Sequence, residues 1–83
     1  MPMTEALAWQ MILAAYKCGA DLQALMRRLK QGCPPGEYDG HARAIATSIA
    51  SLNLNLVERA LKAYPDLQKR IDSDIETFGR LRE

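Results

Sequence analysis

The chain has one histidine, two cysteines, one tryptophan and one phenylalanine, and each scarcity excludes something. His41 is the lone candidate general base, and no serine or cysteine nucleophile stands at a spacing that couples to it. The expectation is therefore a protein that is not an enzyme and has no catalytic residues. Two cysteines are too few for a disulfide framework. If Cys18 lies on a helix and Cys33 beyond its end, about 20 Å of helix separates them, too far for a bridge. Charge of one sign is lacking as well: eleven basic against ten acidic residues leave +1. No global field draws the chain to nucleic acid or to an anionic membrane. The start, Met1-Pro2-Met3-Thr4-Glu5, lacks the basic residues of a secretory leader. The apolar run Ala6–Ala20 carries Gln10 and Lys17 and is too short for a bilayer span. These absences together point to a cytoplasmic, reducing compartment with no membrane contact.

Cofactor signals are missing too. Gly32-Cys33-Pro34-Pro35-Gly36 has no preceding strand and no Gly-Lys-Ser/Thr ending, so it is not a phosphate cradle. Cys33, Glu37, Asp39 and His41 match no zinc or calcium spacing, and the prolines stiffen the loop. No cofactor and no metal site is expected.

What is present is helix-forming: alanine, leucine, arginine and glutamine are common and β-branched residues sparse. Eighty-three residues make one domain, spanning 1–83. The chain is punctuated at Gly32–Gly36 and at Tyr64-Pro65-Asp66. Helix one is predicted from Thr4, its N-cap, to Gln31. Its apolar stripe is Leu7, Met11, Ala15, Cys18, Leu22, Leu25 and Leu29, at helical steps of three and four. The stripe crosses Gly19 without losing phase, which argues for one long helix and against a helix-turn-helix reader. Helix two is predicted from Asp39 to Tyr64, with Ala42, Ile45, Ile49, Leu52, Leu56, Ala60 and Ala63 inward. A third, shorter helix follows Pro65, carrying Leu67, Ile71, Ile75, Phe78 and Leu81. The fold class is all-α: a long antiparallel two-helix hairpin plus a shorter third helix, dimerising into a helical bundle.

Both long helices have apolar residues left over. Trp9, Ile12, Leu13 and Tyr16 lie off the stripe of helix one, and Val57, Leu61 and Tyr64 lie beside that of helix two. Helix three could fold back over this second face. The preferred expectation is that these seven residues form an interface, because Trp and Tyr are enriched at interface cores and small domains gain stability by oligomerising. On that reading Leu25 and Cys18 are core, Cys18 reacts with thiol reagents only on unfolding, and Cys33 reacts in the native state.

The segment His41-Ala42-Arg43-Ala44-Ile45-Ala46-Thr47-Ser48-Ile49 resembles the start of the second long helix of the TraM-like quorum-sensing anti-activators, at His41, Arg43, Ile45, Ser48 and Ile49. The resemblance implies a small cytoplasmic helical hairpin that dimerises, binds a LuxR-type transcription activator and keeps it off DNA. It covers nine residues. The Cys33–Gly36 loop and the charged helix after Pro65 depart from the family, so no activator-binding residue is carried over. The function expected is a small helical protein–protein interaction module. It would be a regulator that binds and inhibits another, unidentified protein such as a transcription activator, and would itself be a homodimer. The alternative is a nucleic-acid-binding regulator using Arg27, Arg28 and Lys30 at the basic end of helix one, with nucleic acid the less favoured partner.

Overall fold

Thr4 begins the first helix as predicted: its hydroxyl accepts a hydrogen bond from the backbone N–H of Leu7 at 3.2 Å, satisfying one of the orphan donors of the first turn. The computed structural model describes residues 3–83. Helix α1 runs Glu5–Gly32 and α2 runs Pro35–Leu52. A π-helical turn, Asn53–Val57, joins α2 without a break to α3, Glu58–Ala63. Helix α4 is Leu67–Phe78. No strand occurs among the described residues. The α2–π–α3 rod packs antiparallel on α1, and α4 is the shorter third helix, so the all-α hairpin architecture stands as expected.

The second long helix starts at Pro35 and not at Asp39, which lies inside its second turn. Proline at the first helical position lacks an N–H that would be unpaired there anyway, and its fixed φ suits a helix. Glu37 adds a favourable charge in the first turn. These two effects carry the helix through Gly36 and Gly40. The rod stays helical until Tyr64, whose backbone is turned to φ −137°, ψ 80° ahead of Pro65.

The π turn has a cause in the stripe. Leu52, Leu56 and Ala60 are two consecutive steps of four, which on an ideal helix drift about 80° around the axis. The wider turn takes up that drift, and the Glu58 N–H reaches five residues back to the Asn53 carbonyl. None of Ala42, Ile45, Ile49, Leu52, Leu56 or Ala60 is exposed; Ala63 is.

The buried face of α1 is not the predicted stripe. Ala8, Ile12 and Ala15 are buried, and Gly19, Leu22, Met26 and Leu29 continue their line at steps of four and three with none exposed. This seam shares Ala15, Leu22 and Leu29 with the predicted one but is rotated about its axis. Leu7 and Leu25, expected in the core, are exposed, and so is Cys18. The seam chosen by size of side chain loses to one lined with alanine. Ala8 packs in the core cluster with Ala60 of α3, and Ile12 in the seam and Trp9 on its flank pack there with Leu67 and Ile71 of α4.

Ala8, Trp9, Ile12, Ala60, Leu67 and Ile71 form the core cluster, ringed by Met3, Leu13, Val57, Leu61, Tyr64, Leu81 and, from the predicted stripe, Met11. Gly79, with φ +70°, ends α4 in the left-handed conformation that glycine adopts without strain, and its N–H donates to the Ile75 carbonyl at 2.9 Å. The tail then turns back along α4. There the Arg82 N–H donates to Asp74 Oδ2 at 3.0 Å, and the Trp9 Nε1–H donates to the Arg82 carbonyl at 2.9 Å. The Arg70 guanidinium lies 4.0 Å from the Trp9 ring centre and donates to the Glu83 backbone oxygen at 3.1 Å. Tyr64 closes the other side, its hydroxyl donating to the Met3 carbonyl at 2.6 Å.

Gly19 sits mid-helix with nothing within 4 Å of where a Cβ would be. Gly19→Ala is therefore expected to stabilise the chain by about 0.5–1 kcal/mol, the glycine–alanine difference in a helix interior. A thermal melt followed by circular dichroism should show a midpoint raised by several degrees; a lowered midpoint would mean that the site is packed in solution.

Candidate functional site

The seven residues expected to form an interface are where the structure departs most from the sequence reading. Trp9 is 3% exposed and Ile12 is fully buried, both inside the chain's own core. Leu13, Val57, Leu61 and Tyr64 are half-buried against that core, and Tyr16 alone is exposed. The structure does bring six of the seven together, but as an internal cluster. Helix α4 folds back over them after Pro65, the option that was not preferred, because its amphipathic face (Leu67, Ile71) needs the same partner that Trp9 needs.

Covering one end of the hairpin leaves the other open. Helix α1 has 28 residues and α4 has 12. At 1.5 Å per residue they span about 42 Å and about 18 Å, so α4 cannot reach the loop end of the hairpin. There the molecule is a two-helix layer, and its overall extents are 46 × 29 × 15 Å. A pair of helices has two sides, and among the described residues nothing lies over either at that end.

On one of those sides lies an open groove of about 660 Å³ between α1 and the rod. Its floor is apolar: Cys18, Leu22 and Leu25 from α1, Leu52 and Leu56 from the rod. Its rim is polar: Asp21, Thr47, Ser48, Ser51 and Asn55. The Thr47 hydroxyl donates to the Arg43 carbonyl and the Ser48 hydroxyl to the Ala44 carbonyl, each at 3.0 Å. Those donors are satisfied within the helix, so an apolar occupant would strand neither of them. An apolar floor inside a polar rim is the anatomy of a protein–protein contact.

The surface area carries the same message. A monomeric domain of this mass exposes about 5000 Å²; this chain exposes 6210 Å². Its radius of gyration is 15.1 Å, against about 12 Å for a compact domain of its length. The excess surface, on the order of 1200 Å², is more than the about 800 Å² that each partner gives up in a standard interface.

The loop at the open end holds a cluster that the sequence reading dismissed. Cys33, Glu37 and His41 place one donor atom each within 4.8 Å of one another. Asp39 is not among them. The basic side chains of Arg27, Arg28 and Lys30 are exposed near the same end. Among the described residues no helix is long and apolar enough to cross a membrane. Both cysteines are free thiols.

No protein-family model, curated protein or solved structure matches the chain.

Proposed function

We propose that this chain acts by protein–protein contact, as a small helical regulator, and that the occupant of its open groove is a second copy of itself. The observation that carries the reading is the apolar groove on a chain with surplus surface, floored by Cys18, Leu22, Leu25, Leu52 and Leu56. Two hairpins laid groove to groove would supply each other with the helix layer that α4 is too short to provide. The occupant then needs no chemistry that this chain lacks: an amphipathic helix with leucines at three- and four-residue steps is what each copy offers the other. The contact would be a four-helix arrangement, the stable way to bury one apolar face on each of two hairpins. The resemblance of His41–Ile49 to the TraM-like anti-activators adds the notion of a dimer that holds a transcription activator. Arg43 and Ser48 are exposed there, while Ile45 is buried.

Two measurements test the proposal. Size-exclusion chromatography with light scattering should give about twice the chain mass of 9.3 kDa at micromolar concentration. Cys18 should alkylate quickly in dilute protein, where it is exposed, and slow markedly as concentration rises and the groove closes. Cys33 lies outside the groove and should show no such dependence. A clean monomer over the whole range, with Cys18 equally fast throughout, would overturn the reading. So would a steeply salt-dependent shift of DNA mobility in that monomer, which would assign the basic end of α1 to nucleic acid.

A further inference from the structure

We infer that Cys33, Glu37 and His41 form a binding site for Zn²⁺, with three protein ligands and one position left to water. The site begins in the loop. The Cys33 N–H donates to the Leu29 carbonyl at 2.9 Å, which fixes the cysteine as the cap of α1. Pro34 follows at φ −59°, ψ 150°, and Pro35 opens α2. Two successive prolines leave this connection little freedom. The stiffness of the loop, which on sequence grounds argues against a metal, holds the thiol over the first turns of α2. Glu37 and His41 are one helical turn apart and share the face that the thiol overhangs.

The distances suit a tetrahedral ion. Bonds of about 2.0–2.1 Å at tetrahedral angles put two ligand atoms about 3.3 Å apart, and a thiolate and a nitrogen about 3.5 Å apart. Glu37 Oε1 and His41 Nε2 stand at 3.4 Å. An i, i+4 pair explains that distance by itself, but it does not explain a thiol converging on the same point, within 4.8 Å of both. Closing the cysteine edge from at most 4.8 Å takes a movement of up to about 1.3 Å, within reach of side-chain rotation. Glu37 and His41 are exposed and Cys33 is half-buried, so the ion can enter from solvent and its fourth position faces water.

The ligand chemistry selects the metal. One thiolate, one imidazole and one carboxylate suit a borderline-soft divalent ion, whereas Ca²⁺ and Mg²⁺ take oxygen ligands. The thiolate and carboxylate together offset the ion's charge. The carbonyl end of α1 and the amide end of α2 meet at this loop, so the attraction of the one for a cation offsets the repulsion of the other. The site uses none of the groove residues and stands apart from the proposed self-association.

Tag-free, fully reduced protein titrated with Zn²⁺ in a calorimeter should bind one ion per chain. Titration with Co²⁺ should produce the visible absorption of a tetrahedral site together with a near-ultraviolet thiolate-to-cobalt charge-transfer band. Cys33→Ser should abolish that band, and Cys33→Ser, Glu37→Gln and His41→Gln should each weaken Zn²⁺ binding by about tenfold or more. Cys18→Ser should change neither. Absence of saturable binding overturns the site, as does wild-type affinity in Cys33→Ser or loss of the band in Cys18→Ser. Cys18 is exposed, so Cys18→Ser leaves the fold intact, and a band retained in that variant assigns the thiolate to Cys33 even where Cys33→Ser fails to fold.

Discussion

Trp9→Ala is expected to unfold the chain, or to lower its thermal midpoint by more than ten degrees. Trp9 is 3% exposed, and truncating a buried aromatic to alanine costs about 3–5 kcal/mol in lost transfer energy and cavity formation. For a domain of this size each kcal/mol moves the midpoint by about 4–8 °C. Trp9 also ties the tail down, through its bond to the Arg82 carbonyl and the Arg70 guanidinium over its ring. Losing it frees α4 as well as α1. Trp9→Phe keeps most of the apolar bulk and loses the N–H donor, so it should cost only about 1 kcal/mol. Circular dichroism melts of the two variants beside the parent decide it. A Trp9→Ala protein that melts within a few degrees of the parent would mean that α4 does not dock on this face.

Leu25→Glu is expected to do the reverse: leave the helical signal and the fold intact and remove self-association. Leu25 is 43% exposed in the single chain, so its replacement opens no cavity in the core. In a groove-to-groove dimer the new carboxylate would be desolvated on an apolar floor, beside the rim carboxylate of Asp21. A charge at such a place weakens association by about a hundredfold or more, equivalent to about 3 kcal/mol. Light scattering at matched concentration should then read a monomer while the far-ultraviolet spectrum is unchanged. An unfolded Leu25→Glu protein would place Leu25 in the core after all, and an unchanged mass would remove the groove from the interface.

The two substitutions exchange the roles that the sequence pattern alone assigns to Trp9 and Leu25, and the reason lies in α1. Its apolar residues support two overlapping seams, one through Leu7, Met11, Cys18 and Leu25, the other through Ala8, Ile12, Gly19 and Met26, both including Ala15, Leu22 and Leu29. Periodicity ranks them almost equally, and the first has the larger side chains. Burial favours the second, because it turns Ala8 toward Ala60 of the rod and puts Trp9 and Ile12 where Leu67 and Ile71 of α4 can reach them. Spacing and the two stiff prolines argue against Cys33, Glu37, Asp39 and His41 as metal ligands, and the predicted helix boundary adds to that. Starting helix two at Asp39 leaves Glu37 in a loop, whereas starting it at Pro35 puts Glu37 and His41 on one face beneath Cys33.

What the sequence by itself determined are the features that depend on near neighbours in the chain. Thr4 caps α1, the Gly32–Pro35 segment separates α1 from the second long helix, and Pro65 breaks the rod after Tyr64, because capping and proline sterics act over a few residues. The all-α class follows equally from local propensity. Only the tertiary structure decided which side of α1 faces inward, where α4 comes to rest and which apolar surface stays open. Those depend on the direction in which the chain leaves Pro65, on a π turn that rotates the end of the rod, and on α4 being too short to cover the whole hairpin. Each concerns the relative placement of distant segments, and an apolar stripe that could be satisfied by either of two neighbours does not say which of them arrives.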